Sequence, residues 1–398
     1  MTQLSALLTR EGLVLLDELG TIESTADVAA AVSRLRAAGH SPDLVSAVVG
    51  QAHLRAKGRA KFGEFADRML FTRAGLEQAT RLPVATLHAV RMRQSDITAV
   101  SDLGCGIGGD SLAFAGAGLT VTAVDADPVT AALAAYNLAP FGEAASVRQG
   151  TAEQDPSATA PADPSHAIWL DPARRTAGHS ETRRVTASDY SPSLDWSFDV
   201  ARRHPTGIKL GPGLDRDLLP DDVEAQWISV DGSVVELVPW SGSLARDGIR
   251  RAALVMRGGS THELTARADA EDAPVRELGA FLHEPDGAVI RARLIGDAAR
   301  MLDAGMLDPQ IAYLTGDAAV TSPFVQSFRV RETMPAHVKT INAALRAHDV
   351  GRLEIKKRGM DVDPAAFRKK LALRGSGEAT LILTRTPAGR VAILADRV

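Results

Sequence analysis

The sequence predicts a doubly wound, mostly parallel α/β sheet, with a helical region before it and a small α+β domain after it. Three observations carry that prediction. Apolar residues recur at helical spacing through residue 92. From Asp96 onward, short β-branched runs alternate with helical stretches, as strands crossed over by helices do. The charge of the chain also changes sign near its end. Phe328 to Val398 carries 15 Lys/Arg against 7 Asp/Glu, a net of +8, whereas the preceding 327 residues carry 30 against 42, a net of −12. The boundaries read as a helical region at 1–92, an α/β domain at 93–261, a connecting segment and start of the small domain at 262–327, and a basic domain at 328–398.

The helical region is written in repeats such as Leu13, Leu16, Leu19 and Val28, Val32, Leu35. Ser24 or Thr25 can cap the second helix, and Pro42 suits the first turn of the third. In the α/β part, Ile97–Val100, Leu119–Val124, Ala167–Leu170, Gly207–Leu210 and Gln226–Val230 read as strands, with Ser146–Arg148 a minor one. Ala252–Arg257 can finish the sheet, and residues 262–280, polar and without period, read as a connection. The tail reads as Phe328–Val330, a helix at Val338–Ala347, Arg352–Ile355, a helix at Ala365–Leu371, then Ala379–Thr384 and Val391–Leu394.

Composition narrows the class. The 398 residues are 45% hydrophobic and 24% charged, ordinary for a soluble globular chain. Cys105 is the only cysteine, so no intramolecular disulfide or Cys-rich zinc site can form. The ten His residues lack ligand spacing, and no metal is expected. No apolar run could span a membrane and no signal-like segment opens the chain, so the expected location is cytoplasmic. A net charge of −4 excludes a wholly basic nucleic-acid binder, while the +8 tail points to an anionic partner or to a solvated basic face.

Most of the chemistry lies in Asp102-Leu-Gly104-Cys105-Gly106-Ile-Gly108-Gly109-Asp110, between a strand and a helix. Its glycines let backbone approach a ligand closely, and the helix start leaves N–H donors free. Asp125 ends the next strand, where a carboxylate can take both hydroxyls of a ribose. Gly104-x-Gly106-x-x-Gly109 also fits a dinucleotide loop. Asp102, however, would sit beside a pyrophosphate there, and no Ser/Tyr/Lys or His/Asp set for hydride transfer accompanies the loop. After the strand through Leu170 comes Asp171-Pro172-Ala173-Arg174, at the sheet edge where open α/β folds bind ligands. Cys105 lies in the glycine loop and not near Asp171, which argues against a cysteine nucleophile for pyrimidine C5 chemistry.

The acid two residues before the first glycine resembles the (D/E)xGxGxG loop of class I S-adenosylmethionine (SAM) methyltransferases. The chain is similar over most of its length to a bacterial family of these enzymes with a THUMP-like C-terminal domain. The likeness rests on Lys61-Phe62, Leu70-Phe71-Thr72 to Thr80, the glycine loop, Asp171–Arg174, and Ile208-Lys209-Leu210-Gly211-Pro212-Gly213-Leu214-Asp215. It continues through Phe281-Leu-His283-Glu284-Pro285 and Glu354-Ile-Lys356-Lys357-Arg358-Gly359.

The resemblance implies a Rossmann-like methyltransferase sheet that holds SAM through Thr72, Gln78, Asp102, Gly104, Cys105, Gly106, Gly108, Asp110, Asp125, Ala126, Thr151 and Ala152. It implies catalysis at Asp171, Pro172 and Arg174, where relatives carry (D/N/S)PP(Y/F/W); here Ala173 and Arg174 replace the second proline and the aromatic. THUMP domains bind RNA in tRNA-modifying enzymes, so the resemblance implies a tRNA or rRNA substrate. It would be held by Arg175, Lys209 and the basic patch of Lys356, Lys357, Arg358, Lys369 and Lys370. Transfer to nitrogen or oxygen fits these residues. A SAM-binding RNA-binding protein with little catalysis and a small-molecule methyltransferase are the alternatives.

Overall fold

A computed structural model of the chain describes residues 2–20, 22, 24–174 and 187–398. The chain divides into two compact units: Met1–Lys209 with Trp240–Ala245, and Leu210–Pro239 with Arg246–Val398.

After a short helix at Thr2–Leu7, the first unit continues with helices α1 (Arg10–Leu19), α2 (Thr25–Ala37) and α3 (Pro42–Phe62). Each starts on a hydroxyl cap. Thr9 accepts from the Gly12 N–H, Ser24 forms a reciprocal box with Asp27, and Ser41 accepts from Leu44 ahead of Pro42. Two further helices, α4 (Arg73–Gln78) and α5 (Leu82–Gln94), lead to the sheet. Its strands are β1 (Ala99–Leu103), β2 (Thr120–Asp125), β3 (Ala145–Gln149), β4 (His166–Leu170) and β5 (Thr206–Ile208). They pair in parallel in the order β3-β2-β1-β4-β5, with α6 (Gly109–Gly116) after β1 and α7 (Pro128–Leu138) after β2. The doubly wound expectation holds for this sheet.

Strand β1 runs further than its apolar residues indicate. Ser101 and Asp102 are polar yet buried in it, because Ser101 hydrogen-bonds His166 (2.9 Å) and Asp102 accepts from Ser111 (2.5 Å). The core under β4 is aromatic: Trp169 lies 5.6 Å from Trp240, 5.7 Å from Phe114 and 4.5 Å from His88, centroid to centroid. Gly207 on β5 makes that packing possible, since a Cβ there would stand 2.6 Å from both indoles.

In the second unit, β6 (Glu224–Val230) turns through Asp231-Gly232, both at positive φ, into β7 (Ser233–Ser241). The last two residues of β7 belong to the first unit and pair antiparallel with β5. β8 (Arg251–Arg257) lies parallel to β6, and β9 (Ser260–Ala266) antiparallel to β8. The polar stretch read as a connection from 262 therefore begins inside a strand. β9 escapes the hydrophobic pattern because it is half-exposed and its Glu263 serves an ion pair with Arg246.

A seven-stranded sheet follows: β10 (Phe281–Pro285), β11 (Gly305–Asp308), β12 (Ile311–Gly316), β13 (Val325–Pro335), β14 (Val350–Lys357), β15 (Gly377–Thr386) and β16 (Gly389–Arg397), in the order β11-β12-β10-β13-β16-β15-β14. Alternation along β15 and β16 gives it two cores. Leu381, Leu383 and Leu394 pack with Ile341 and Leu345 of α8 (Val338–Ala347), while Ile382 and Ile393 pack on the other face with Leu282, Tyr313 and Phe328. A short helix, α9 (Pro364–Arg368), follows β14.

Candidate functional site

The site is assembled at the carboxyl ends of β1, β2 and β4, within the first unit. Leaving β1, the chain turns through Gly104 (φ 97°), Gly106 (φ 55°) and Gly108 (φ 84°), backbone that only glycine adopts without strain. A Cβ on Gly104 would also meet the Asp171 carbonyl oxygen at 2.8 Å, so the glycine loop and the Asp171 turn touch backbone to backbone. The loop is tied to β2 by the Gly104 and Cys105 N–H groups, which donate to the Val124 carbonyl (2.8 and 3.0 Å).

Asp125 completes that tie. Its Oδ2 accepts from the Gly106 N–H (3.0 Å) and its Oδ1 from the Asp127 N–H (2.9 Å), leaving a second lone pair on each oxygen. Burial nudges its carboxyl above the ordinary range against those two bonds. Gly150 donates to the Asp125 carbonyl (3.0 Å), which brings Thr151, exposed, and Ala152, buried, to the same strand end; Ala126 is exposed beside them. Cys105 is buried, its thiol donates to the Gly106 carbonyl, and burial holds its pKa well above the usual thiol range.

Asp102 lies deeper, 1% exposed. Oδ2 takes the Ser111 hydroxyl, but Oδ1 is buried with no hydrogen-bond partner. Burial, reinforced by the charge of Asp110, pushes this carboxyl up to about 8. An orphaned carboxylate oxygen next to a glycine loop calls for a cation, and an ammonium group reaching it directly or through water would supply one.

Asp110, in the first turn of α6, is otherwise engaged. It accepts from Thr80 (2.7 Å), His88 Nδ1 (3.0 Å) and Lys209 Nζ (3.4 Å). Burial would raise its pKa, but Lys209 and the His88 and Thr80 bonds outweigh it and hold the carboxyl far below the usual range. Lys209, 13% exposed, reaches from Asp110 and Thr80 (3.0 Å) across to Asp171 Oδ2 at 2.5 Å. Of the two roles open to Lys209, a contact with substrate or a bond to Asp171 or another acid, the structure shows the second, made to both Asp171 and Asp110. Asp171 is one-third exposed and Pro172 is buried. Ala173 and Arg174 form a short antiparallel ladder with Ser191 and Tyr190. Arg175 lies outside the described residues.

A segment from the helical region closes over the loop. Thr72 caps α4 by accepting from Gly75 (2.9 Å), and Gly75 lies so close to Ile107 that a Cβ would approach it to 2.6 Å. Gln78 ends α4, exposed. Lys61 donates to the Glu77 and Ala79 carbonyls at that helix end (2.7 Å each). Side chains pin the strand-like backbone at 69–71. Gln51 bonds both polar groups of Phe71, and Asn137 bonds those of Leu70 and also the Ile107 carbonyl (2.9 Å). Sequence reasoning missed Thr80, His88, Gln51 and Asn137. The available signal was a polar residue on an otherwise buried helix face, as with His88 between Val84 and Met92.

In the second unit, two stretches quoted for the family resemblance meet. Glu284 of β10 pairs with Lys356 Nζ (2.6 Å) and Arg358 (3.4 Å), and Arg358 lies over the Tyr313 ring. The predicted patch is split by the two-residue period of β14, so that Lys356 and Arg358 turn to Glu284 while Lys357 between them is exposed. Lys369 and Lys370 are exposed, and Asn342 of α8 bonds the Lys370 carbonyl (3.2 Å) and the Ala372 N–H (2.7 Å). Lys339, Arg346, Lys357, Lys369, Lys370 and Arg374 are exposed and make no ion pair among the described residues.

A glycine loop at the end of β1, an acid at the end of β2 and an orphaned acid beneath the loop define a class I SAM-dependent methyltransferase. Comparison with known proteins agrees. Residues 325–397 match the THUMP domain-like family, and residues 1–58 match a domain family of unknown function. Uncharacterized SAM-dependent methyltransferases from two strains of Mycobacterium tuberculosis, CDC 1551 and H37Rv, are each 34% identical over 364 residues, covering 89% of this chain and 96% of theirs. A crystal structure of a presumed methyltransferase from Porphyromonas gingivalis W83 shares the fold, with a TM-score of 0.73 at 19% identity over 95% of this chain and 99% of that one. The chain belongs to this family of SAM-dependent methyltransferases with a THUMP-like C-terminal domain. Among the described residues, no helix is long and apolar enough to cross a membrane and no His/Cys/Asp/Glu group could hold a metal ion.

Proposed function

We propose that this enzyme methylates a nitrogen or oxygen atom of RNA, in tRNA or rRNA. The supporting observation is Asp171, a part-exposed carboxylate fixed by Lys209 against the glycine loop. Bound SAM would supply an electrophilic sulfonium methyl group. In this reading Asp102 and the turn from Gly104 to Gly108 face its amino-acid end, and Asp125 accepts from the ribose. Ala126, Thr151 and Ala152 border the base, while Thr72 and Gln78 belong to the segment over the pocket.

Asp171 then accepts a hydrogen bond from the N–H or O–H of the target and turns its lone pair toward the methyl group, a matter of orientation first. Lys209 is a positioning residue: it holds Asp171, and is itself held by Asp110 and Thr80. Pro172 fixes the turn, and Arg174 and Arg175 are assigned to a phosphate or a base face of the substrate. Cys105 stays a protonated thiol, which favours nitrogen or oxygen over a cysteine-assisted carbon target. RNA affinity comes from the exposed cations at 339–374 in the domain that begins near residue 328.

The test is transfer of tritiated methyl from SAM to fractionated RNA and, in parallel, to a small-molecule extract. Label in one RNA fraction, lost in Asp171→Ala while SAM still binds, is the expected result. Wild-type protein that binds SAM and labels only small molecules refutes the RNA reading.

A further inference from the structure

A cavity of about 720 Å³ opens in the first unit, and none of its lining residues belongs to the glycine loop or the Asp171–Lys209 cluster. It lies among α1, α3, the turn at 67–68 and the end of α7. Its volume falls in the range of ligand sites, about 300–1,000 Å³.

Arg55 of α3 lines it and is 7% exposed. Nε donates to the Met69 carbonyl (2.9 Å) and Nη1 to Asp17 Oδ1 (3.2 Å), while Nη2 is buried with no partner. A guanidinium presents a fork suited to two oxygens of one anion, and here only one prong is used. Asp17 is 68% exposed, so it can swing aside without disturbing the core. Arg68, also lining, is exposed and makes no ion pair among the described residues. The other lining acid is already spent: Arg59 holds Asp67 with two bonds of 2.9 Å. With Asp17 swung aside, the unspent side-chain polar capacity of the lining is guanidinium N–H. Tyr136, half-buried, adds an aromatic surface.

We propose that this cavity binds a nucleotide unit, its phosphate displacing Asp17 from Arg55 and reaching Arg68, with the base against Tyr136. The nucleotide is either free or part of an RNA chain, since both offer the same phosphate and ring.

The test uses the full-length protein with excess S-adenosylhomocysteine, so that the methyltransferase pocket does not compete. Inorganic phosphate, uridine monophosphate and a short 5′-phosphorylated oligouridylate are titrated calorimetrically into wild type, Asp17→Ala and Arg68→Ala. Asp17 and Arg68 are exposed, so these variants fold; Arg55→Met, which loses the Met69 bond, does not decide the matter alone. Arg68→Ala is expected to weaken binding about tenfold, the scale of one charge-assisted hydrogen bond. Asp17→Ala is expected to tighten it by a similar factor, because the competing carboxylate is gone. Tyr136→Leu should bring uridine monophosphate down to the affinity of phosphate. Binding of the monophosphate assigns a free nucleotide, and binding of the oligonucleotide alone, with the same response to Arg68 and Asp17, assigns RNA. No binding of any probe, or binding that Asp17→Ala and Arg68→Ala leave unchanged, overturns the proposal. Binding is read directly, so the outcome does not depend on methyl transfer.

Discussion

Cofactor binding should release a proton, and the proton should come from Asp102. Its folded-state carboxyl is pushed up to about 8 by burial and by Asp110. At pH 7 only about one molecule in ten then carries it ionised. An ammonium group facing Oδ1 requires the ionised form, so binding at pH 7 should expel about 0.9 proton. Below pH 8 the SAM dissociation constant should rise about tenfold for each unit of acidification. A free α-amino group itself titrates at about 7.7–8.0, so above that range the ligand loses its charge and affinity falls again. The affinity optimum is therefore near pH 8. Calorimetry in two buffers of different ionisation enthalpy counts the proton. Asp102→Asn keeps an acceptor for Ser111 but has no proton to lose, so its proton count should fall to near zero and its affinity should be flat below pH 8. The unliganded protein should show the same group in its stability. Asp102 keeps its proton well above the pH at which the unfolded chain loses it, near 3.9, so stability falls as pH rises from about 4 through 8. The Tm advantage of Asp102→Asn should grow over that interval. A proton count near zero for wild type at pH 7, with a pH-independent dissociation constant, refutes the reasoning.

The cation at the centre of the site gives the next test. Lys209→Met leaves SAM affinity within a few-fold but lowers kcat about 100-fold, because Asp171 loses its anchor; the Asp110 carboxyl rises at the same time. Single-turnover and binding assays separate the two effects, and a parallel loss of SAM binding would show that Lys209 holds the cofactor instead. Asn137→Ala removes its bonds to Leu70 and Ile107 and should cost about 2–4 kcal/mol in urea unfolding, with a weaker cofactor complex. Gly207→Ala, pressed against Trp169 and Trp240, should cost about 1–3 kcal/mol as an overpacked core position, read from the same unfolding curves. The double variant Lys369→Glu, Lys370→Glu should weaken RNA binding and reduce the salt slope by about 2 without touching SAM affinity. An unchanged slope would place the RNA contact elsewhere.

Much of the architecture was legible because the relevant patterns are local. Ser24 and Pro42 mark helix starts by chemistry that needs no neighbours, and the glycine loop between Asp102 and Asp110 carries its own geometry. What escaped depends on partners distant in sequence. Asp110 read as a cofactor contact because it follows the glycines; its three partners Thr80, His88 and Lys209 come from three other segments. Lys356 to Arg358 read as one patch because charge counts ignore strand alternation, and Glu284, 72 residues away from Lys356, takes two of the three. β9 was hidden for a related reason, since a half-exposed strand need not alternate.

The charges around the glycine loop also have a direction. Asp110 and Asp171 both pair with Lys209, and Asp102 is buried within the electrostatic reach of all three, so the cluster sets three carboxyls against one lysine. The fold relieves part of that imbalance by keeping a proton on Asp102. SAM, with a sulfonium, an ammonium and a carboxylate, brings a net +1 and can replace that proton. S-adenosylhomocysteine, a thioether, brings none. The cluster therefore interacts more favourably with the methyl donor than with its demethylated product, by a Coulomb energy that the low-dielectric surroundings of Asp102 enlarge. Both ligands carry the same ammonium group and expel the same proton from Asp102, so their dissociation constants follow pH in the same way and the preference for the donor comes from the sulfonium alone. A ratio of the two dissociation constants that changes more than a few-fold from pH 6 to 8 would refute this, because the two ligands would then displace different numbers of protons.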